Sequence, residues 1–204
     1  MSGARRIAAV ILAAGRGARF GAEENKLLAS LNGEPILRRV VRTALTSRAS
    51  GVIVVTGHRR QEIEAALAGL DVICVHNPDF ASGLASSLRT GLAAAAGEDG
   101  ALIMLGDMPG VEPAILDALI AAFEKAPGCP AVVPAYRGAR GNPVLLSRAI
   151  VPRLGALRGD EGARGLLRSM EGVIELPLDD ARILADVDTP ADLARFKRIR
   201  CSNP

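Results

Sequence analysis

Three glycines and two arginines stand directly behind an apolar run: Ile7 to Leu12 leads into Gly15, Arg16, Gly17, Arg19 and Gly21, and Lys26 follows shortly after. Glycine lets a backbone take positive φ or approach a ligand closely. Freed N–H groups beside cationic side chains can cradle a triphosphate, although a flexible, solvated turn would use the same glycines. The dinucleotide fingerprint is excluded, because G-x-G-x-x-G counted from Gly15 needs glycine where the chain has Phe20. The G-x-x-x-x-G-K-S/T loop is excluded too, because the lysine comes too late and Leu27 follows it.

Further along, the apolar run Ala101 to Leu105 ends in Gly106, Asp107, Met108 and Pro109. A carboxylate at a strand end can hold Mg²⁺ against phosphate oxygens, and aspartate is also a good turn former. Asp186 and Asp188 lie between an extended run and a helix start, where capping explains an acidic residue equally well. Ser86, Ser87 and Arg89 fall in the first turns of a helix, whose free N–H groups and hydroxyls can meet polar ligand atoms or simply cap the helix. Asn142 follows a glycine-arginine loop, and Gly159, Asp160, Gly162 and Arg164 form a second loop; both read equally as surface turns. His58 and His76 each follow a strand, with no serine or cysteine partner at a suggestive spacing, and read as solvated or capping groups.

These residues need a scaffold, and the pattern between them supplies one. Apolar runs at Ile7 to Leu12, Gly51 to Thr56, Asp71 to Val75, Ala101 to Leu105 and Ala131 to Val133 read as buried strands. Helical periodicity separates them: Ile36, Val40, Val41, Ala44 and Leu45 share one face behind Pro35, as do Ile63, Ala66, Leu67 and Leu70; Gly83 to Ala96 and Pro113 to Lys125 supply two more helices. Repeated strand, helix, strand predicts a mainly parallel sheet covered on both faces, with ligands at the carboxyl ends of the strands. Beyond Pro134 a short strand at Pro143 to Leu146, a helix at Arg164 to Met170 and an extended run at Val173 to Leu176 are expected. A last helix should be capped by Thr189 and opened by Pro190.

At 204 residues the chain reads as one domain, residues 1–204. No apolar run approaches the roughly 18 residues of a membrane span, and the basic, apolar start reads as a first strand rather than a signal peptide. Three scattered cysteines, Cys74, Cys129 and Cys201, suit a reducing cytoplasm, with Cys74 a buried thiol. The formal net charge of +3 is accounted for by residues 1–26. With one tyrosine and no tryptophan the chain lacks the stacking aromatics of a nucleic-acid surface. Focused positive charge points instead to a small polyanion.

In this order, "LAAGRGARFG", "NKLL", "VVTGH", "GLASSLRTGL", "GDMPGV", "GNPVLLS", "GDEGAR" and "DVDTPADL" resemble the MobA-like nucleotidyltransferases, most closely the molybdenum cofactor cytidylyltransferases (MocA-like), over nearly the whole chain. The resemblance implies a Rossmann-like three-layer α/β/α sandwich of the nucleotide-diphospho-sugar transferase type. It implies transfer of CMP from CTP to the terminal phosphate of molybdopterin, with release of pyrophosphate, in a Mg²⁺-dependent reaction. By the same resemblance Leu12, Ala13, Ala14, Gly15, Arg16, Gly17, Arg19 and Lys26 bind the nucleotide, with Thr56, Gly57, Ser86 and Ser87 lining the base pocket. Arg16, Lys26 and Asp107 are the implied catalytic residues and Asp107 and Asp188 the metal ligands. Asn142, Gly159, Asp160 and Arg164 are implied to face the acceptor, with Asn142 standing where relatives often carry histidine. "LAAG" stands where guanylyl relatives usually have "LAGG", so the Ala14 methyl would favour the smaller pyrimidine. A molybdenum hydroxylase, or its maturation factor, is the implied partner. Transfer to another phosphorylated acceptor, or cofactor delivery without turnover, are the alternative readings of the same site.

Overall fold

A computed structural model of the chain describes residues 5–17, 20, 25–155, 157, 159, 160 and 162–199. The elements in order are β1 (Ile7–Ala13), β2 (Ser30–Leu31), β3 (Glu34–Pro35), α1 (Ile36–Leu45), β4 (Gly51–Thr56), α2 (Arg60–Ala66), β5 (Ile73–His76), α3 (Leu84–Ala94), β6 (Gly100–Leu105), α4 (Pro113–Lys125), β7 (Ala131–Tyr136), β8 (Ala139–Arg140), β9 (Val144–Ser147), α5 (Val151–Leu154), α6 (Arg164–Arg168), β10 (Ile174–Pro177) and α7 (Pro190–Ile199).

All seven residues of β1 are buried, because the strand lies at the middle of the sheet with apolar cover on both faces. Side chains alternate across a strand. Ile7, Ala9 and Ile11 therefore enter one core with Leu37 and Val41 of α1 and Leu116 and Leu119 of α4. Ala8, Val10 and Leu12 enter the opposite core with Leu88 and Leu92 of α3. Helix α3 sits so close that a Cβ at Gly91 would come within 2.4 Å of a Val10 methyl, which explains a glycine inside a helix despite its propensity cost.

The sheet runs β10-β7-β9-β6-β1-β4-β5, with β8 paired to β7. Strands β6, β1, β4 and β5 are mutually parallel, whereas β9 lies antiparallel between β6 and β7. The chain winds outward from β1 through β4 to β5, then crosses to β6 on the other side of β1. This reversal opens a crevice at the carboxyl ends of β1 and β6, the usual place for a ligand in such sheets. The expected mainly parallel three-layer α/β architecture is the one observed.

Differences lie at the margins. The strand expected at Asp71 to Val75 begins at Ile73 and lies on the sheet edge, so Ile73 is 63% exposed and the Cys74 thiol is only half-buried. The β2–β3 ribbon was not anticipated; it turns through Asn32 and Gly33, both at positive φ. At the other end Thr189 caps α7 as expected: its Oγ1 accepts from the Asp192 N–H at 3.2 Å, and its own N–H donates back to the Asp192 carboxylate at 2.9 Å.

Candidate active site

The glycine loop leaves β1 over a tight contact. The Ala14 carbonyl accepts a hydrogen bond from the His58 N–H at 3.2 Å, and a Cβ at Gly57 would lie 2.8 Å from that of Ala14 and 2.6 Å from that of Phe80. Gly57 is thus required by close packing behind the loop. Gly17 turns the chain at φ +62°, and Phe20 buries its ring with Leu31, Ile36 and Val187, anchoring the loop to α1 and the segment before α7. Among the described residues, the N–H groups of Gly15, Arg16 and Gly17 donate to no acceptor. The Arg16 guanidinium lies 5.7 Å from the centroid of the Phe80 ring. Arg19, also expected here, lies outside the described residues.

Lys26 opens a short 3₁₀ turn capped by Asn25, whose side-chain oxygen accepts from the Leu27 N–H at 3.0 Å. That turn aims the lysine at two carboxylates far away in sequence: Nζ lies 2.6 Å from Asp107 Oδ2 and 2.7 Å from Asp188 Oδ1. The Val187 N–H donates to the Asp107 carbonyl at 2.9 Å, fixing the two acidic segments to each other. Burial by itself would lower the Lys26 pKa, but the Asp107 charge and the hydrogen bonds to both carboxylates outweigh it and raise it. Asp186 is shifted upward, first by burial and then by repulsion from Asp107 and Asp188. Three carboxylates thus face one ammonium.

A divalent cation suits that imbalance. Asp107 Oδ1 is buried with no hydrogen-bond partner, and hard cations prefer carboxylate oxygen. No group of three or more His, Cys, Asp or Glu residues able to hold a metal occurs among the described residues. The protein would therefore contribute few ligands, as is common for Mg²⁺ sites completed by water and substrate phosphate.

Around this cluster lies a cavity of about 410 Å³ lined by Leu12, Ala14, Gly15, Arg16, Gly17 and Lys26, and closed by Phe80, Gly83, Ser87, Asp107 and Asp160. Four expected nucleotide residues do not line it, Gly57 behind the loop among them. The Ala13 side chain belongs to the core. Thr56 is fully buried, its Oγ1 3.5 Å from the Val75 carbonyl. The Ser86 hydroxyl is taken up by the Gly83 and Asp79 carbonyls, at 2.8 and 3.0 Å. Ser86 and Ser87 both accept from the buried Asn77 side-chain amide, at 2.8 and 3.0 Å. Asn77 and Phe80 were missed by sequence reasoning; the only signal was a polar residue directly after a strand end, in "HNP".

A second cavity, of about 290 Å³, is lined by Asn142, Asp160, Gly162, Arg164, Met108 and Asp186 and shares Leu12, Leu84, Leu105 and Asp160 with the first. The neighbours Asp107 and Met108 line different cavities, so the carboxyl-terminal end of β6 marks their boundary. The Asn142 N–H donates to the Ile183 carbonyl at 2.9 Å. Gly159 does not line either cavity; its carbonyl accepts from the Ala85 N–H at 3.0 Å, while Asp160 Oδ1 accepts from the Leu84 N–H at 3.3 Å. The loop thereby caps α3. His58 packs 6.1 Å from Phe80, and neither histidine lines these cavities.

Residues 9–173 match the family model of the MobA-like NTP transferase domain. The chain belongs to this family of nucleotidyltransferases. It is 34% identical to the purine catabolism protein PucB of Bacillus subtilis, over 93% of this chain and 95% of that protein. It is 32% identical to the bifunctional protein GlmU of Sphingopyxis alaskensis over 71% of this chain, spanning 31% of that longer protein. Among solved structures it resembles Rv0371c from Mycobacterium tuberculosis, with a TM-score of 0.84 and 31% identity over 96% of this chain and 99% of that one. Rv0371c has also been solved in complex with manganese, a structure 29% identical with a TM-score of 0.80, covering 95% of this chain and 98% of that one. No helix among the described residues is long and apolar enough to cross a membrane.

Proposed function

We infer that the chain, acting as one cytoplasmic nucleotidyltransferase domain, transfers CMP from CTP to the terminal phosphate of molybdopterin, giving molybdopterin cytosine dinucleotide and pyrophosphate. The observation that carries this reading is the pair of abutting cavities, the first beneath the glycine loop and Lys26, the second beside Asn142 and Arg164, with Asp107 at their boundary. Two substrates that must meet at one phosphorus atom call for that arrangement.

In the reaction an oxygen of the acceptor phosphate attacks the α-phosphorus of CTP, and the bond to the β-phosphate breaks. The attacking oxygen is already anionic, so no side-chain base is needed; the protein positions the groups and offsets charge. The free N–H groups of Gly15 to Gly17, with Arg16, would hold the phosphates, and Lys26 would offset the charge of departing pyrophosphate. Asp107 and Asp188 would hold Mg²⁺, which when bound neutralises phosphate charge as a Lewis acid. Ala14 lines the first cavity with its methyl close to Gly57, and alanine rather than glycine at this position would favour the smaller pyrimidine. A molybdenum hydroxylase or its maturation factor would take up the product.

Incubation with molybdopterin, Mg²⁺ and each of the four nucleoside triphosphates tests this. Pyrophosphate release is expected with CTP. Release with GTP and none with CTP would overturn the base assignment, and CTP-dependent release only with other phosphorylated acceptors would overturn the acceptor. Ala14→Gly is expected to shift the CTP-to-GTP ratio of kcat/KM toward GTP by about tenfold, the order of effect of one methyl-sized change in a pocket.

A further inference from the structure

Two roles assigned to the cleft compete for the same atoms. The oxygens that would hold Mg²⁺ include Asp107 Oδ2 and Asp188 Oδ1, and Lys26 Nζ stands on both, at 2.6 and 2.7 Å. An ammonium and a divalent cation repel each other when they crowd onto one oxygen pair. Water screens that repulsion poorly here, because the Lys26 and Asp107 side chains are only 16% and 17% exposed. The lysine is also tied to the glycine loop. A Cβ at Gly17 would lie 3.3 Å from Lys26 Cγ and 3.7 Å from Cδ, so the stem runs against the loop while its head reaches the carboxylates. The stem is a flexible four-carbon chain ending in a point charge, which lets the head exchange carboxylate for phosphate oxygen without a change in the loop. A permanent structural ion pair would explain the two short contacts. It would not explain why Asp107 Oδ1, on the same carboxylate, stays buried without a partner.

We propose that Lys26 is a placeholder for the cation: it neutralises the carboxylate pair until the phosphates of the incoming nucleotide draw it off, and the pair then takes the metal. Nucleotide and metal therefore bind with positive coupling, and the coupling is reciprocal. Metal alone has to displace the lysine; nucleotide alone has to leave the carboxylates unpaired. This rests on the reading of Asp107 and Asp188 as the metal ligands.

The test measures Mn²⁺ binding to the full chain without nucleotide, from the electron paramagnetic resonance of free Mn²⁺. Lys26→Met keeps an apolar stem beside Gly17 and removes the charge. It is expected to bind Mn²⁺ about tenfold tighter than wild type, the order of effect of one adjacent like charge. Arg16→Gln, an equal loss of charge in the same cavity, should stay within about twofold, as for a charge not in contact with the pair. Equal Mn²⁺ affinity in wild type and Lys26→Met, or an equal gain in Arg16→Gln, overturns the placeholder. If Asp107→Asn nevertheless weakens Mn²⁺ binding, the ligand assignment stands without it. A gain that survives in the Lys26→Met, Asp107→Asn double variant overturns the ligand assignment itself. A second measurement leaves the lysine in place. The chain has three lysines, at 26, 125 and 197. Lys125 and Lys197 are exposed, so Lys125→Gln and Lys197→Gln assign the Lys26 resonance of ¹³C-lysine protein by elimination. CTP without metal should shift that resonance, and Mg²⁺ alone, at a concentration that saturates the CTP-bound chain, should not. A resonance that neither CTP nor GTP moves, or that Mg²⁺ alone moves as far, overturns the proposal even where Lys26→Met fails to fold.

Discussion

The two sides of the cleft are built differently. On the nucleotide side the residues hang from parallel strands at the centre of the sheet: β1 is hydrogen-bonded on both edges and wholly buried, and Lys26, Asp107 and Asp188 are locked together by short ion pairs. On the side proposed for the acceptor the residues hang from the antiparallel strand β9, the two-residue strand β8 and the five-residue helix α6. The first side is over-determined by packing and hydrogen bonds; the second is held by short elements with few bonds across them. Such a division suits an enzyme that treats a triphosphate in one fixed way while its acceptor specificity varies with the loops.

The sharpest way to test that division is to remove charge on each side in turn. Asp107→Asn and Lys26→Ala are each expected to lower pyrophosphate release by about two to three orders of magnitude, as for groups that offset charge in the transition state. Asn142→Ala is expected to raise the acceptor KM by roughly tenfold with little change in kcat, as for a group that binds ground and transition states alike. Steady-state kinetics with both substrates varied separates the cases. A collapse of kcat in Asn142→Ala would show that the acceptor side takes part in chemistry and would break the comparison.

Where the sides touch, the contact is backbone against backbone. Gly83, at φ +101°, precedes α3, and a Cβ there would come within 2.3 Å of the Gly159 carbonyl carbon and 2.9 Å from the Asp160 nitrogen. Neither backbone atom can move aside like a side-chain tip. Gly83→Ala should therefore destabilise the fold by about 1–3 kcal/mol, the range for strained backbone and overpacking. Gly15→Ala, which meets nothing within 4 Å and has no positive φ, should be nearly neutral for stability. Denaturant midpoints measured side by side check this. Equal midpoints for both variants would show that the two sides are not coupled through this contact.

The nucleotide side was also the more legible one. A continuous apolar run marks a strand buried on both faces, so β1, β4 and β6 stand out, and Pro113 at the first helical position marks the start of α4. Asp107 drew attention because it follows a strand at the ligand end of the sheet. Its pairing with Lys26, 81 residues away, which pairs in turn with Asp188, is tertiary, and no local pattern carries it. The family's motif order supplied that link. Thr56 and Ser86 illustrate the opposite case: hydroxyls at strand ends and helix starts look like ligand groups, yet their oxygens face neighbouring carbonyls. Asn77, which organises both serines, lacks any spacing signal. On the acceptor side, strands of two to four residues are too short for periodicity to fix which neighbour they pair with, so the insertion of β9 between β6 and β7 could not be read.

The segment between Asp180 and Asp188 crosses from one side to the other, and its anchor gives the smallest expected effect. Asp180 accepts from the Arg182 N–H at 2.9 Å and pairs with its guanidinium, which also contacts Glu112. The Asp180 carboxyl is shifted below its ordinary 3.8 by these hydrogen bonds, against the opposing effect of burial. A group whose pKa is lower in the folded state than in the unfolded one adds stability above its unfolded pKa and loses it as pH falls through the folded value. Asparagine keeps the oxygen that caps the following turn and removes the charge, so Asp180→Asn isolates the ionic part. Because the Arg182 side chain is 42% exposed, solvent screening holds that part below about 1 kcal/mol. Asp180→Asn should therefore be slightly less stable than wild type at neutral pH, and the two unfolding curves should converge as pH drops below 3.8. A difference that persisted at low pH would mean that the anchor acts through shape rather than charge, and that the strap's charged attachment is the one between Asp188 and Lys26.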